Sequence, residues 1–104
     1  MFSSRIPKDI INYQKLLTIS LSQNELTGVI PPELASLPSI TSIDLSHNAL
    51  TGMIPLKFRN STTLELFNVS FNHLVGPVPS DGIFRNIPAS SFVGNQYICG
   101  GVLT

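Results

Sequence analysis

The chain has 104 residues, the length of one small domain. Six Lys and Arg residues balance six Asp and Glu residues, and the basic residues are dispersed, which argues against nucleic acid or an anionic membrane surface as partner. No apolar run approaches the length of about 18 residues that a membrane span needs, and the first residues lack the pattern of a signal peptide.

Residues 1–15 match the second half of a unit that later repeats in full. In this register Ile6 takes the place of Ile30, and Ile10 and Tyr13 follow in the next two apolar positions. A solenoid usually closes its first unit with a polar-faced cap, so we expect the layer of Ile6, Ile10 and Tyr13 to be uncovered. The sequence therefore looks like a piece of a longer protein, and we expect self-association through its ends.

Three full units of equal length follow at 16–39, 40–63 and 64–87. The matched columns are Leu16/Ile40/Leu64, Ile19/Ile43/Phe67, Leu21/Leu45/Val69, Asn24/Asn48/Asn72, Leu26/Leu50/Leu74, Gly28/Gly52/Gly76, Ile30/Ile54/Val78 and Pro31/Pro55/Pro79. This spacing is that of the leucine-rich repeat, in which one short strand and a return path form each unit of a stacked solenoid. The predicted fold is thus an α/β-type repeat solenoid, with short parallel strands on the concave face and mostly loops and 3₁₀ turns on the convex side.

Each column has a physical reason. The alternation in each unit predicts strands at about 18–22, 42–46 and 66–70, with one face buried. Asn24, Asn48 and Asn72 form a structural Asn column, in which each carboxamide is expected to be buried and to bond backbone groups of its own loop and of the next unit. Glycine follows where the chain must bend, and proline begins the return path.

The last unit departs from the pattern after residue 79. Gly82 occupies a position where Leu34 and Phe58 predict an apolar residue. We interpret residues 80–104 as the end of the solenoid, with 88–104 as a partial C-terminal cap. The residues expected to fold over the last layer are Ile83, Phe84, Phe92 and Val93.

Three motifs narrow the resemblance: LVGPVP at 74–79, GIFRN at 82–86 and GNQYICGG at 94–101. Together they resemble the membrane-proximal end of the ectodomain in plant leucine-rich-repeat receptor-like kinases, most of all the immune receptors that sense bacterial peptides. The resemblance implies ligand perception on the concave face, contact with a co-receptor, and a plasma-membrane protein with an extracellular ectodomain. It also implies that Cys99 pairs with a second cysteine downstream, before a membrane helix and a kinase domain; this chain stops at Thr104, and Cys99 is left unpaired.

The outward strand columns are the candidate binding surface, because variable residues on a rigid curved scaffold are how solenoids bind proteins and peptides. The candidate concave-face residues are Thr18, Ser20, Gln23, Ser42, Asp44, His47, Leu66, Asn68 and Phe71. Among them Leu66 and Phe71 form the apolar spot. The column Ser22/Ser46/Ser70 is interpreted as structural.

Catalytic chemistry finds no support in the sequence. His47 is expected three residues after Asp44 on the same strand, both in outward columns with no nucleophile beside them, and one Cys with two separated His residues gives no metal-ligand spacing. Neither a phosphate-binding loop nor a kinase signature occurs, so we expect neither enzymatic activity nor a cofactor. Two glycosylation sequons occur, at Asn60 and Asn68.

The leading interpretation is a non-catalytic module for protein or peptide recognition, a fragment of a receptor-kinase ectodomain in defence or developmental signalling. A secreted inhibitor of a cell-wall-degrading enzyme uses the same repeat and stays open as an alternative, as does a non-functional truncated remnant.

Overall fold

The computed structural model describes residues 5–6 and 17–99, and within them the chain forms five short strands and four 3₁₀ helices. The strands are β1 (Thr18–Ser20), β2 (Ser42–Asp44), β3 (Leu66–Asn68), β4 (Val75–Pro77) and β5 (Tyr97–Cys99). The 3₁₀ helices are Pro32–Ser36, Leu56–Asn60, Gly82–Asn86 and Ala89–Ser91. From β1 to β3, strands and 3₁₀ helices alternate along the chain as the repeat predicts, and the fold is the leucine-rich repeat solenoid.

The first sheet holds β1, β2 and β3 side by side and parallel. Its register pairs Thr18 with Ser42 and Ser42 with Leu66, so each step across the sheet is one full unit of the repeat. The strands are shorter than the alternation predicts, since β1 ends at Ser20. Interstrand bonding nevertheless continues past β1, because the N–H of Gln23 donates to the carbonyl of Ser46 at 3.0 Å. The strands end early because the chain turns there.

The core lies between the sheet and the 3₁₀ helices of the convex side. Each strand of the first sheet contributes one buried residue from its middle, and each of the first three 3₁₀ helices contributes one buried residue from its own middle. The six residues are Ile19, Ile43, Phe67, Leu34, Phe58 and Phe84. Burial of one such side chain stabilises the fold by about 1.5–3 kcal/mol, so the stacked layers supply most of the driving force.

An aromatic cluster fills the C-terminal end of this core. The ring of Phe67 lies 5.0 Å from that of Phe58, 5.9 Å from that of Phe84 and 6.4 Å from that of Phe92, measured between centroids. Phe84 and Phe92 are buried, and Ile83 packs partly buried beside them. The expectation that Val93 belongs to this group is wrong, since 46% of its surface is exposed: it follows Phe92 on the outward side of the chain.

The irregular end of the third unit is a small shift in register. The first two 3₁₀ helices begin one full unit apart, at Pro32 and Leu56, whereas the third begins only at Gly82, beyond the place that the same step would give. Phe84 therefore takes the buried place that the strict repeat would give to Gly82. Gly82 instead packs against the backbone of Arg59 with φ of +59°, where a Cβ atom would collide with the Arg59 carbonyl group.

A second parallel sheet goes beyond what the repeat pattern predicts. It pairs β4 with β5, with Val75 opposite Tyr97. Single parallel bridges join Arg5 to Thr27 and Val29 to Thr51 in the preceding units. The flank of the solenoid is thus also tied together by backbone hydrogen bonds.

The start of the chain is described only at two residues. Ile6 is 4% exposed and belongs to the core cluster, in contrast to the uncovered layer expected there. Ile10 and Tyr13 lie outside the described residues. Within the described part of the chain, no helix combines the length and apolar character needed to cross a membrane.

Candidate binding surface on the strand face

The strand face is the surface formed by the outward residues of β1, β2 and β3 and of the turns that follow them. At its leading edge Thr18 is exposed, Ser42 is half-buried and Leu66 is 56% exposed. The backbone register holds these three side chains in one row across the sheet. Neighbouring residues of this row are therefore about 4.8 Å apart, the distance between neighbouring strands.

The middle row consists of Ser20, Asp44 and Asn68, and two of these side chains bond to other parts of the fold. Asp44 Oδ1 accepts hydrogen bonds from the N–H and the hydroxyl of Ser46, at 3.1 Å and 2.7 Å. Asn68 Oδ1 accepts the equivalent pair from Ser70, at 3.0 Å and 2.7 Å. Both serines are buried and so belong to the structure. Asp44 and Asn68 are half-buried, while Ser20 in the same row is exposed.

The third row lies where each strand turns away from the sheet. Gln23, His47 and Phe71 all have φ of 57°, in the left-handed region that residues other than glycine seldom adopt. The expectation that His47 shares a strand with Asp44 is wrong, since β2 ends at Asp44. All three turn residues are exposed to solvent.

A stack of two rings occupies this row. The rings of His47 and Phe71 lie 4.6 Å apart and nearly parallel, with an interplanar angle of 14°. The other neighbour of the Phe71 ring is Gly94, where an added Cβ atom would lie 2.8 Å from Phe71 Cγ. Phe71 thus contacts both His47 and Gly94 while 49% of its surface stays exposed.

The Asn column binds each unit to the one before it. Asn72 Nδ2 donates to the carbonyls of Leu45, Val69 and Ser70, and its Oδ1 accepts the N–H of Leu50. Asn48 makes the same four bonds one unit earlier. The partners outside its own loop lie in the preceding unit, which corrects the expectation that they lie in the next one.

Position in the stack sets how deeply each amide is buried. Asn72 is 4% exposed, whereas Asn24 and Asn48 are only half-buried. The hydrogen bonds described for the Asn24 side chain are two, to the carbonyls of Leu21 and Ser22 in its own loop. Of the three asparagines expected to be buried, only Asn72 is fully buried.

Asn95 continues this column, although the repeat pattern does not predict it. Its Nδ2 donates to the carbonyls of Val69, Phe92 and Val93, and its Oδ1 accepts the N–H of Leu74 at 3.0 Å. Asn95 follows Asn72 one position sooner than Asn72 follows Asn48, so a search at the strict period passes over it. The signal that could have found it is an apolar residue three places before the asparagine, Phe92 here and Val69 in the previous unit.

The other predicted residues lie apart from the strand face or carry no chemistry of their own. Asn60 is exposed at the end of the 3₁₀ helix Leu56–Asn60, on the convex side. Cys99 is a free, exposed thiol in β5. Among the described residues no group of His, Cys, Asp and Glu side chains could hold a metal ion.

The sequence and the fold both have known relatives. The family described as Leucine rich repeat matches residues 4–50. The solved structure of a TDR receptor is 49% identical and superposes with a TM-score of 0.85 over 93% of this chain and 16% of its own. The ectodomain of the receptor kinase GASSHO1/SCHENGEN3 from Arabidopsis thaliana is 40% identical, with a TM-score of 0.86 over 93% of this chain and 12% of its own.

The protein is a leucine-rich repeat protein resembling plant receptor-kinase ectodomains. A third relative, the BIR2 ectodomain from Arabidopsis thaliana, is 35% identical, with a TM-score of 0.87 over 97% of this chain and 53% of its own. This leucine-rich repeat chain spans between 12% and 53% of the length of these three relatives. No curated protein matches the sequence significantly. The resemblance stated from the LVGPVP, GIFRN and GNQYICGG motifs is confirmed.

Proposed function

We propose that this chain is a non-catalytic recognition module of a plant receptor-kinase ectodomain on the extracellular side of the plasma membrane, and that its strand face contacts a peptide or protein ligand. Two solved relatives support the ligand class: HAESA was solved with the peptide hormone IDA and the co-receptor SERK1, and the peptide hormone receptor RGFR1 with RGF2. A co-receptor is accordingly a second candidate partner for this segment. Self-association stays a prediction.

The observation that carries this proposal is the division of labour within each strand. Inward residues such as Ile43 form the core, and the Asn side chains bond the backbone of the turns. Among the outward strand residues, Asp44 and Asn68 are the ones whose side chains bond the fold itself, through Ser46 and Ser70. A backbone that is already ordered loses little conformational entropy when a ligand binds, which favours a binding surface. The described residues offer no comparable reason for catalysis.

The test blocks the surface without touching the core. Ser42 lies in the leading row between Thr18 and Leu66, so Ser42→Trp places a large side chain on the strand face. We expect peptides selected on the 104-residue protein from a random display library to lose binding to this variant. Arg85→Ala, which alters an exposed residue of the convex 3₁₀ helix, is the matched control and should bind as the unmodified protein does. Selected peptides that bind Ser42→Trp as well as the unmodified protein would contradict the proposal.

A further inference from the structure

Among the described residues, the basic side chains of the 3₁₀ helices lie on the side of the solenoid opposite to the acids near the strands. On the strand side Asp44 ends β2, Glu65 directly precedes β3, and Glu25 follows the Asn24 turn. Among the described residues, the three basic side chains in the 3₁₀ helices lie on the convex side instead. They are Lys57, Arg59 and Arg85.

The convex side also carries acidic residues, but one of them is paired with an arginine and another is half-buried. Arg59 forms an ion pair with Asp81 at 3.8 Å, and Glu33 is half-buried in its 3₁₀ helix. Arg5 packs along the flank, over Gly28. No ion pair within the described residues involves a strand-side acid.

An apolar anchor lies beside this acidic charge. Phe71 is half-exposed, its ring is stacked on that of His47, and it lies in close contact with Gly94. Val93, one position before Gly94, adds further exposed apolar surface. An aromatic side chain that is already held in place loses little entropy on binding, which is the usual character of an interface hot spot.

The distance between the charge and the anchor sets the spacing of a ligand. Asp44 precedes His47 by three positions in the same unit, and Phe71 is stacked on His47 from the next unit. Three residues of extended chain span on the order of 10 Å. A ligand in polyproline II conformation has three residues per turn and rises about 3.1 Å per residue, so its side chains three positions apart lie on one face about 9 Å apart and would bridge the two features.

We propose that the strand face selects a cationic peptide, in which a Lys or Arg facing Asp44 is separated by about three residues from an aromatic or large aliphatic side chain that packs on Phe71. This inference rests on the proposed function and specifies the ligand class of the same surface. The carboxylate oxygen of Asp44 that does not bond Ser46 is the one available to the cation.

The role of the Asp44 charge can be tested with an isosteric substitution that the chain itself already contains at position 68. Asn68 makes with Ser70 the bonds that Asp44 makes with Ser46, so an asparagine at position 44 keeps these contacts and removes only the charge. Asn68→Asp is the reciprocal change and adds a carboxylate one strand away. We expect Asp44→Asn to weaken binding of the selected peptides about twofold to fivefold, and Asn68→Asp to strengthen it by a similar factor, as for exposed ion pairs.

The anchor is tested by Phe71→Ala, which we expect to weaken binding about tenfold or more, as at an interface hot spot. Phe71→Leu keeps much of the apolar volume and should recover part of the affinity. Arg85→Ala alters a charge on the convex side and should leave affinity unchanged. Equal melting temperatures across the variants show that folding is not the cause, and a fall in affinity with added salt is expected for Asp44 pairing.

The selection itself has distinguishable outcomes. Enriched peptides that carry the basic and apolar residues at the stated spacing, and that respond to Asp44→Asn and Phe71→Ala, support the inference. Enrichment of acidic peptides, or equal affinities of the selected peptides for Asp44→Asn and Asn68→Asp, overturns the inference about the ligand class. If Ser42→Trp nevertheless abolishes binding of the selected peptides, the proposed function still holds. Peptides indifferent to Ser42→Trp, or no enrichment at all, overturn both.

Discussion

Replacing Asn72 by alanine should remove a buried polar link between two units. The side chain is buried and takes part in four hydrogen bonds. Each carbonyl that it serves keeps a second donor: Asn48 for Leu45, Asn95 for Val69 and the His47 N–H for Ser70. The N–H of Leu50 is the one group left without a described partner.

The cost follows from this count. An orphaned buried donor costs about 1–3 kcal/mol, and each lost bond to a carbonyl that keeps another donor costs about 0.5 kcal/mol. We therefore expect Asn72→Ala to lower the free energy of unfolding by about 3 kcal/mol, against a total of about 5–15 kcal/mol for a domain. Asn24→Ala, which among the described residues removes two bonds within its own loop and affects a half-buried amide, should cost only about 1 kcal/mol.

Urea denaturation of the 104-residue protein, followed by circular dichroism, measures both values. In thermal scans the difference of about 2 kcal/mol should separate the two melting temperatures by roughly 8–16 °C. Asn95→Ala should resemble Asn72→Ala, since it leaves the N–H of Leu74 without a described partner. The reasoning would be refuted if Asn72→Ala and Asn24→Ala had the same effect, because the bonds to the preceding unit would then contribute nothing.

Three further outcomes are expected. Gly82→Ala should destabilise the protein by about 2 kcal/mol or more, because its Cβ atom collides with the Arg59 backbone; an unchanged urea midpoint would contradict this. When the chain is expressed in plant cells with an added signal peptide, glycopeptide mapping should find Asn60 occupied and Asn68 empty, since Asn60 is exposed while Asn68 lies in a strand with its Oδ1 bonded. A glycan on Asn68 would instead shield the third unit from ligand. Cys99 should react completely with a thiol reagent in the native protein, and protection until urea is added would show that it is covered.

Much of the fold could be predicted because it repeats. The constant period placed β1, β2 and β3 at the correct starting residues and identified Asn24, Asn48 and Asn72 as structural. The prediction lost accuracy where the period changes. The shift at Gly82 and the shortened step to Asn95 are invisible to a fixed register, although the local chemistry of both residues follows the same rules.

The candidate site could be predicted only as a set of positions. That Thr18, Ser42 and Leu66 share a row follows from the strand register, which the repeat itself sets. That Asp44 bonds Ser46 depends on backbone geometry, since the carboxylate bends back over a residue two places along. The turn that follows each strand likewise contains a left-handed residue, and no sequence rule requires that residue to be Gln23 or His47.

The sequence by itself determined the solenoid, the period at which its strands recur, and which residues of each strand point inward, because alternation and period are local properties of the chain. Only the tertiary structure decided that Phe71 stacks on His47 and contacts Gly94, and that a second sheet joins Val75 to Tyr97. These features bring together residues from different units. The distances that set them therefore exist only once the units have stacked.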